Sequence, residues 1–367
     1  QALLGDSWYP WCGACAATPV SDGRHVIMKV ANRWSSNQWG YLVCYDLDGN
    51  RKWSVSIGGT GSWGAPYDSP LIVGDKVISQ AVLWGDTLQI PYADRTRIAA
   101  FDVETGKLIW SQKTTHFTAS PVRIDVDGVR LVLQANCIFR ADDGKRVLDL
   151  QPYVRPDVDT PCVEGDRILF KGREGPCIAN EELARRTNAG GREHAPVIVR
   201  VFWKEKGQEL QYEPLWMGAQ VRKQVGWNRG SALLAGDWVY RQASAGSPRP
   251  RMFAMDTAKP YEQGMKLLFE PDAAALVRRG DDDEPAYGPP GEDDMSCVMG
   301  GNYVFGAPSH WPSQFVVLQR LPQPKVVAAP VLDGAATGSP FLEGDRIYVR
   351  DYRYLYCFGR KPAPAAD

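Results

Sequence analysis

The chain is predicted to be all-β, and three observations predict it. A phrase made of a small residue, often Pro, one or two apolar residues, a Gly/Asp turn and an apolar strand recurs seven times. A second phrase, with a turn rich in Asp, Gly and Lys between two strands, follows it in most copies. The copies start about 40 to 70 residues apart, the spacing of repeats that each form one supersecondary unit. Two hairpins per unit make four antiparallel strands, and such units joined head to tail are the blades of a β-propeller. The expected fold is a seven-bladed β-propeller of four-stranded antiparallel blades.

The units run in order along the chain. The first opens with TPVSDGRHVIM from Thr18 and continues with CYDLDGNRKW, Cys44 to Trp53. The second opens with SPLIVGDKVIS from Ser69 and continues with AFDVETGKLIW, Ala100 to Trp110. SPVRIDVDGVRLVL from Ser120 and IFRADDGKRVL from Ile138 form the third. TPCVEGDRILF from Thr160 and VRVFWKEKGQELQYEPLW from Val199 form the fourth. SALLAGDWVYR from Ser231 and MFAMDTAKPYEQGMKLLF from Met252 form the fifth. SCVMGGNYVFG from Ser296 opens the sixth and SPFLEGDRIYV from Ser339 the seventh. In each, β-branched and aromatic residues mark the strands, and Gly with Asp supplies the turn.

The seventh unit ends at YLYCFGR, Tyr354 to Arg360, without a fourth strand of its own. The N-terminal ALLGDSW is expected to pair beside it and so remove an exposed edge. Residues 1–360 are read as one propeller domain with insertions at 171–196 and 271–294. The tail 361–367, rich in Pro and Ala, is read as a disordered end or linker. Within the first insertion, NEELARRT from Asn180 reads as a short helix that Asn180 would cap.

These residues resemble the quinoprotein-like β-propeller family, whose repeat ends in Asp-x-x-Thr-Gly-x-x-x-Trp. The stretch FDVETGKLIW carries that ending, and Asp46 to Trp53 carry it with Asp48 in place of Thr. The resemblance spans nearly the whole chain, with the middle units keeping only the strand pattern. It implies the propeller fold. It includes quinone-dependent dehydrogenases as well as non-enzymatic members such as the outer-membrane assembly lipoprotein, so it does not carry an activity with it. The eight-bladed enzymes of the family hold their quinone against a disulfide of adjacent Cys residues, beside calcium. No two Cys are adjacent here and no matching Glu/Asn/Asp pattern is evident. A quinone cofactor is therefore not expected, and the non-enzymatic members are the better likeness.

The formal net charge of the 367 residues is -1, which gives no general attraction to nucleic acid or anionic lipid. No stretch is long and apolar enough to span a membrane as a helix. The chain starts at Gln1, and a removed secretory signal is the expected reason. Eight Cys, an even number, and abundant Trp agree with a periplasmic or extracellular location. Cys44, Cys137 and Cys357 fall inside predicted strands, where a free buried thiol serves equally well.

Strand alternation sorts the connections onto two faces. Turns such as SDGR, VGDK, EGDR, DLDGN, VETGK and ADDGK are short and polar and share one face. The long connections share the other, and long loops in a compact domain are usually functional or disordered. They carry an aromatic set in which Trp11, Trp34, Trp39, Trp63, Trp84, Trp227 and Trp311, with His116 and Arg229, are the expected contact residues. The aromatics would stack on a sugar or anchor a protein partner, and Arg229 and His116 would add polar specificity.

The remaining motifs are weaker. Cys12-Gly-Ala-Cys15 lacks the following His of a haem attachment site, and no second such pair exists for zinc. A disulfide, within the loop or to another Cys, and a free pair remain, and a disulfide is the expected state. His116, His194 and His310 fall on the long-loop face without metal-site spacing, while His25 sits in a hairpin turn and is expected to be solvated. Two acidic clusters, Asp281 to Glu284 and Glu292 to Asp294, have calcium-like oxygen chemistry but no EF-hand spacing, and a mobile solvated loop is the expected reading.

The leading expectation is a secreted or periplasmic scaffold that binds a protein partner or a glycan at the long-loop face, either alone or within a larger assembly. The alternative is an enzyme acting there on carbohydrate or alcohol, as a lyase, a glycosidase or a quinone-dependent dehydrogenase. Its acid/base groups would come from Asp68, His116, Asp159, Asp293 and Asp294, each just before an innermost strand.

Overall fold

The computed structural model describes residues 17–32, 39–59, 68–82, 96–114, 119–150, 160–170, 196–217, 231–243, 251–259, 261–269, 297–306, 314–320, 322–332, 339–350 and 354–359. They form the expected seven-bladed β-propeller of antiparallel sheets, with a single helical turn at Tyr261–Gly264. The chain divides into two compact units, Gln1–Asn180 with Ile198–Leu215, and Glu181–Val197 with Trp216–Asp367.

The first unit holds three complete blades and most of a fourth. Blade 1 is β1 (Val20–Ser21), β2 (His25–Asn32), β3 (Trp39–Asp46) and β4 (Arg51–Gly59). Blade 2 is β5 (Leu71–Val73), β6 (Lys76–Val82), β7 (Thr96–Asp102) and β8 (Leu108–Lys113). Blade 3 is β9 (Val122–Val126), β10 (Val129–Gln134), β11 (Cys137–Arg140) and β12 (Arg146–Asp149). Blade 4 is β13 (Cys162–Glu164), β14 (Arg167–Phe170), β15 (Val197–Glu205) and β16 (Glu209–Met217). In every blade the strands pair in chain order, as successive hairpins do.

A sheet must bury both faces when it stands between two others, and the core of this unit lies between neighbouring blades. Ile27, Leu42, Cys44 and Trp53 of blade 1 pack with Val77, Ala99, Phe101 and Val103 of blade 2. Ile78, Ile98 and Trp110 of blade 2 pack with Val132, Cys137 and Phe139 of blade 3.

The two sequence phrases are the parts that join blades. The closing Trp of one blade lies on the turn Gly of the next. Trp53 Nε1 donates to Val103 O at 2.9 Å, and Trp110 Nε1 donates to Ala141 O at 3.0 Å. A Cβ on Gly106 would meet the Trp53 ring at 2.8 Å, and one on Gly144 would meet Trp110 at 2.5 Å. Both glycines have positive φ, 70° and 72°, so backbone and ring together demand Gly there. The Asp of the phrase builds that turn. Asp102 Oδ1 accepts from Thr105 N at 2.8 Å and Thr105 Oγ1 at 2.6 Å, while Gly106 N donates to Asp102 O at 2.8 Å. Asp46 does the same in blade 1, taking Asp48 N at 3.1 Å and Asn50 N at 2.8 Å.

The small residue that opens each unit has an equally definite task. Thr18 N donates to Ser69 Oγ at 2.9 Å, Ser69 N to Ser120 Oγ at 2.9 Å, and Ser120 N to Thr160 Oγ1 at 3.1 Å. Each hydroxyl thus takes the backbone N–H of the preceding blade's opening residue. The Pro that follows in all four copies cannot donate a backbone hydrogen, which concentrates the link on the hydroxyl residue.

The second unit holds blades 5 to 7. Blade 5 is β17 (Leu233–Ala235), β18 (Trp238–Ala243), β19 (Arg251–Asp256) and β20 (Met265–Phe269). Blade 6 is β21 (Val298–Gly300), β22 (Tyr303–Gly306), β23 (Val316–Gln319) and β24 (Lys325–Ala328). Blade 7 is β25 (Phe341–Glu343), β26 (Arg346–Arg350) and β27 (Leu355–Phe358), three strands among the described residues. Tyr240, Met252 and Ala254 pack with Cys297, Val304 and Val316, and Phe305 and Phe315 pack with Val349 and Phe358. Phe315 and Phe358 stack at 5.2 Å. ALLGDSW, expected beside β27, and NEELARRT, expected to be helical, lie outside the described residues.

Candidate functional site

In blades 1, 2 and 4 one edge carries tight turns and the other is the edge from which the longer connections leave. The connections 83–95, 171–196 and 270–297 leave from the second edge, as do 33–38 and 60–67. Blade 3 is the exception. There β10 and β11 are joined by Ala135 and Asn136 alone, with Ala135 at φ 56°.

The expected contact residues Trp11, Trp34, Trp63, Trp84, His116, Trp227, Arg229 and Trp311 lie outside the described residues, as do Cys12, Cys15 and the acidic clusters. Trp39 is placed as the first residue of β3, paired with Asn32 and Gly59, on the long-connection side of blade 1. Of the expected acid/base candidates, Asp68 is described.

What the long-connection edge of blades 1 to 3 does present is a buried polar network. Lys29, near the end of β2, is 4% exposed and donates from Nζ to Asp68 Oδ1 at 2.5 Å and to Gln80 O at 3.0 Å. Asp68, also 4% exposed, immediately precedes Ser69, whose N–H goes to Ser120 Oγ. The residue before Ser120 is Ala119, and its carbonyl accepts from Gln134 Nε2 at 3.0 Å. One chain of hydrogen bonds thus runs from blade 1 through blade 2 into blade 3. Lys29, Gln80 and Gln134 each stand six residues after the turn glycine of their blade, at Gly23, Gly74 and Gly128. Strand periodicity puts all three on the same side of their sheets.

Four buried atoms in this network and beside it have no hydrogen-bond partner among the described residues: Asp68 Oδ2, Thr114 Oγ1, Gln134 Oε1 and Asn136 Nδ2. Gln134 ends β10, and Asp68, Thr114 and Asn136 stand just outside strand ends on the same edge. A buried polar atom left unpaired costs about 1–3 kcal/mol. The turn edge differs, because Asp22, Asp46 and Asp102 each accept two or more hydrogen bonds there. Among the described residues, no group of three His, Cys, Asp or Glu side chains could hold a metal ion.

In the second unit the matching position is Gln242, whose Nε2 donates to Cys297 Sγ at 3.6 Å. Burial pushes the Cys297 thiol up to about 12 and Cys44 to about 11, the latter helped by the charges of Asp22 and Glu104. Cys44, Cys137, Cys297 and Cys357 are free thiols, and the first three are buried. The reading of strand cysteines as free buried thiols holds for Cys44 and Cys137, whereas Cys357 is exposed.

One expectation is corrected. His25 is not a solvated turn residue but is 5% exposed. Its Nδ1 lies 3.0 Å from Asp22 Oδ2 and its Nε2 lies 3.2 Å from Glu104 Oε2. The turn of blade 2 folds over it, a contact across about 80 residues of sequence that no local pattern could signal.

No protein-family model matches the chain, and no curated protein matches it in sequence. Solved structures match in fold. A crystal structure of BamB from Moraxella catarrhalis aligns at 15% identity over 94% of this chain and 84% of that one, with a TM-score of 0.51. A prolyl endopeptidase aligns at 12% identity and a TM-score of 0.44, over 95% of this chain and 50% of that chain. The β-propeller domain of the Trilobed protease from Pyrococcus furiosus aligns at 12% and 0.42, over 93% and 94%. At such identities the likeness is one of fold. No helix among the described residues is long and apolar enough to cross a membrane.

Proposed function

We propose that the chain is a periplasmic or extracellular propeller scaffold that engages a protein partner through its long-connection edge. The observation that carries this reading is the contrast between the two edges of blades 1 to 3. The turn edge satisfies its carboxylates locally and leaves one buried side-chain nitrogen, Arg140 Nε, with only a 3.4 Å ion pair to Asp143, while the other edge, from which the long, Trp-bearing connections leave, holds four buried polar atoms without a hydrogen-bond partner among the described residues. Orphan groups of this kind are the ones a docked segment can complete, and Trp and Arg are the side chains that most often anchor interfaces. The propeller fold shared with BamB supports a scaffold role, and the quinoprotein-like resemblance agrees with the non-enzymatic branch of that family. Asp68, one acid/base candidate of the enzymatic alternative, is buried against Lys29 and spent on joining blades.

Photo-crosslinking residues placed singly at Trp34, Trp63, Trp84 and Trp227, and as controls at Asp48 and Asp142 on the turn edge, test this in cells. Adducts of one defined protein from the first set alone support the reading. Adducts from the turn edge alone overturn it, as does binding of purified chain to a glycan array with no protein adduct.

A further inference from the structure

The His25 contact is independent of the site above and lies on the opposite edge. Both ring nitrogens face a carboxylate oxygen, Asp22 on the same turn and Glu104 on the neighbouring blade. A neutral imidazole has one N–H and one bare lone pair, so it can donate to one of these oxygens only. The imidazolium donates to both. The two carboxylates are not equivalent. Asp22 is held in place by the backbone N–H groups of Arg24 and His25, at 2.9 and 2.7 Å, and its side chain is 17% exposed. Glu104 is 52% exposed on the turn between β7 and β8, so water can take over its oxygen at little cost.

We propose that His25 is a proton-operated latch between blades 1 and 2. With the ring protonated it bridges Asp22 and Glu104 and ties the two turns together. When the ring loses a proton it keeps its N–H toward Asp22 and releases Glu104, which moves into solvent.

The surrounding charges are few. Arg24 Nη2 also reaches Glu104 Oε1, at 3.4 Å, but both side chains are largely exposed, and the guanidinium keeps its charge while the ring titrates. On β3, Asp46 is the register partner of His25, and its carboxylate is engaged by Asn50. Cys44 is buried and neutral, with Lys52 nearby on β4. On the blade 2 turn, Asp102 is engaged by Thr105. Among the described residues, Glu104 is the one carboxylate of the neighbouring blade within ion-pair distance of the ring, at 3.2 Å, and its exposure leaves it free to move away. Burial alone would raise the Asp22 carboxyl, but its hydrogen bonds from the His25 ring and from the Arg24 and His25 N–H groups hold it well below the usual carboxylate range. Asp22 therefore stays charged throughout.

Long-range proton–nitrogen NMR on the whole labelled chain reads both ring nitrogens of His25 against pH, the signals being assigned by their loss in His25→Gln. Tm is measured over the same range for the natural chain, Glu104→Gln and Arg24→Gln. Glu104→Gln is expected to lower Tm by about a degree or two while the ring is protonated, a difference that closes as the ring titrates. The neutral ring is expected to carry its proton on Nδ1. Arg24→Gln is expected to give an effect that does not follow the ring. A Glu104→Gln penalty of the same size on both sides of the ring's titration overturns the latch. So does a neutral ring protonated on Nε2.

Discussion

At the scale of single residues, the chemistry of this chain is set by what burial and near neighbours do to a few groups. Cys297 and Cys44 are buried and pushed up to about 12 and 11, so neither offers a thiolate near neutrality. Cys357 is exposed. Iodoacetamide applied to the native protein is expected to label Cys357 and to spare Cys44, Cys137 and Cys297, as read by peptide mass spectrometry. Labelling of Cys297 before Cys357 would refute the burial described here. Asp22 carries a sign for stability. Its folded-state carboxyl titrates below its unfolded value, so its contribution is present above about pH 4 and is lost as pH falls further. Asp22→Asn is expected to destabilise the chain at pH 7 and to destabilise it clearly less near pH 2, measured by urea melts at both.

At the scale of elements, blades are joined by two devices that recur. The Trp-on-Gly contact combines a positive φ with a ring at van der Waals distance, so adding a methyl group violates both. Gly106→Ala and Gly144→Ala are each expected to cost about 2–4 kcal/mol, more than an ordinary surface substitution. Gly128→Ala, with the same sign of φ but nothing within 4 Å of its Cβ, is expected to cost less, so a comparison of the three melts separates ring from backbone. The Lys29–Asp68 pair is the polar counterpart. Lys29→Met alone leaves a buried carboxylate and is expected to cost about 3–5 kcal/mol. Lys29→Met with Asp68→Leu removes both charges and is expected to recover most of that loss. A double variant no better than the single one would mean that the surrounding polar groups, not the pair, hold the blades together.

At the scale of the whole molecule, the two edges of blades 1 to 3 are built differently, and the difference predicts where contacts form. Replacing Trp34, Trp63 and Trp84 together by Ala is expected to weaken partner binding by more than about tenfold, the effect of losing one or two anchor residues. The thermal melt is expected to stay close to that of the natural chain. The same number of substitutions on exposed turn-edge residues, such as Asp48, Asp142 and Lys145, is expected to leave binding unchanged. Equal losses from both sets would mean that neither edge is specialised.

The seven repeats were legible in the sequence because the devices that join blades are local phrases. Ser69 and Ser120 stand where their units open, Gly106 and Trp110 stand four apart, and Asp and Gly recur together in the turns. A repeat architecture writes the same neighbour contact many times, so pattern alone reveals strand, turn and unit. The position six after each turn glycine was visible as Lys29, Gln80 and Gln134, but not its meaning, because nothing local says that Lys29 meets Asp68 across two hairpins. His25 was misread for the same reason, since a turn residue looks solvated until the next blade's Glu104 covers it. The sequence by itself determined the fold class, the blade boundaries and which connections share an edge, all of which follow from local turns and period-two strands. Only the tertiary structure decided which polar groups are buried, and which of them are paired or left without a partner among the described residues, because those facts depend on the approach of residues tens of positions apart.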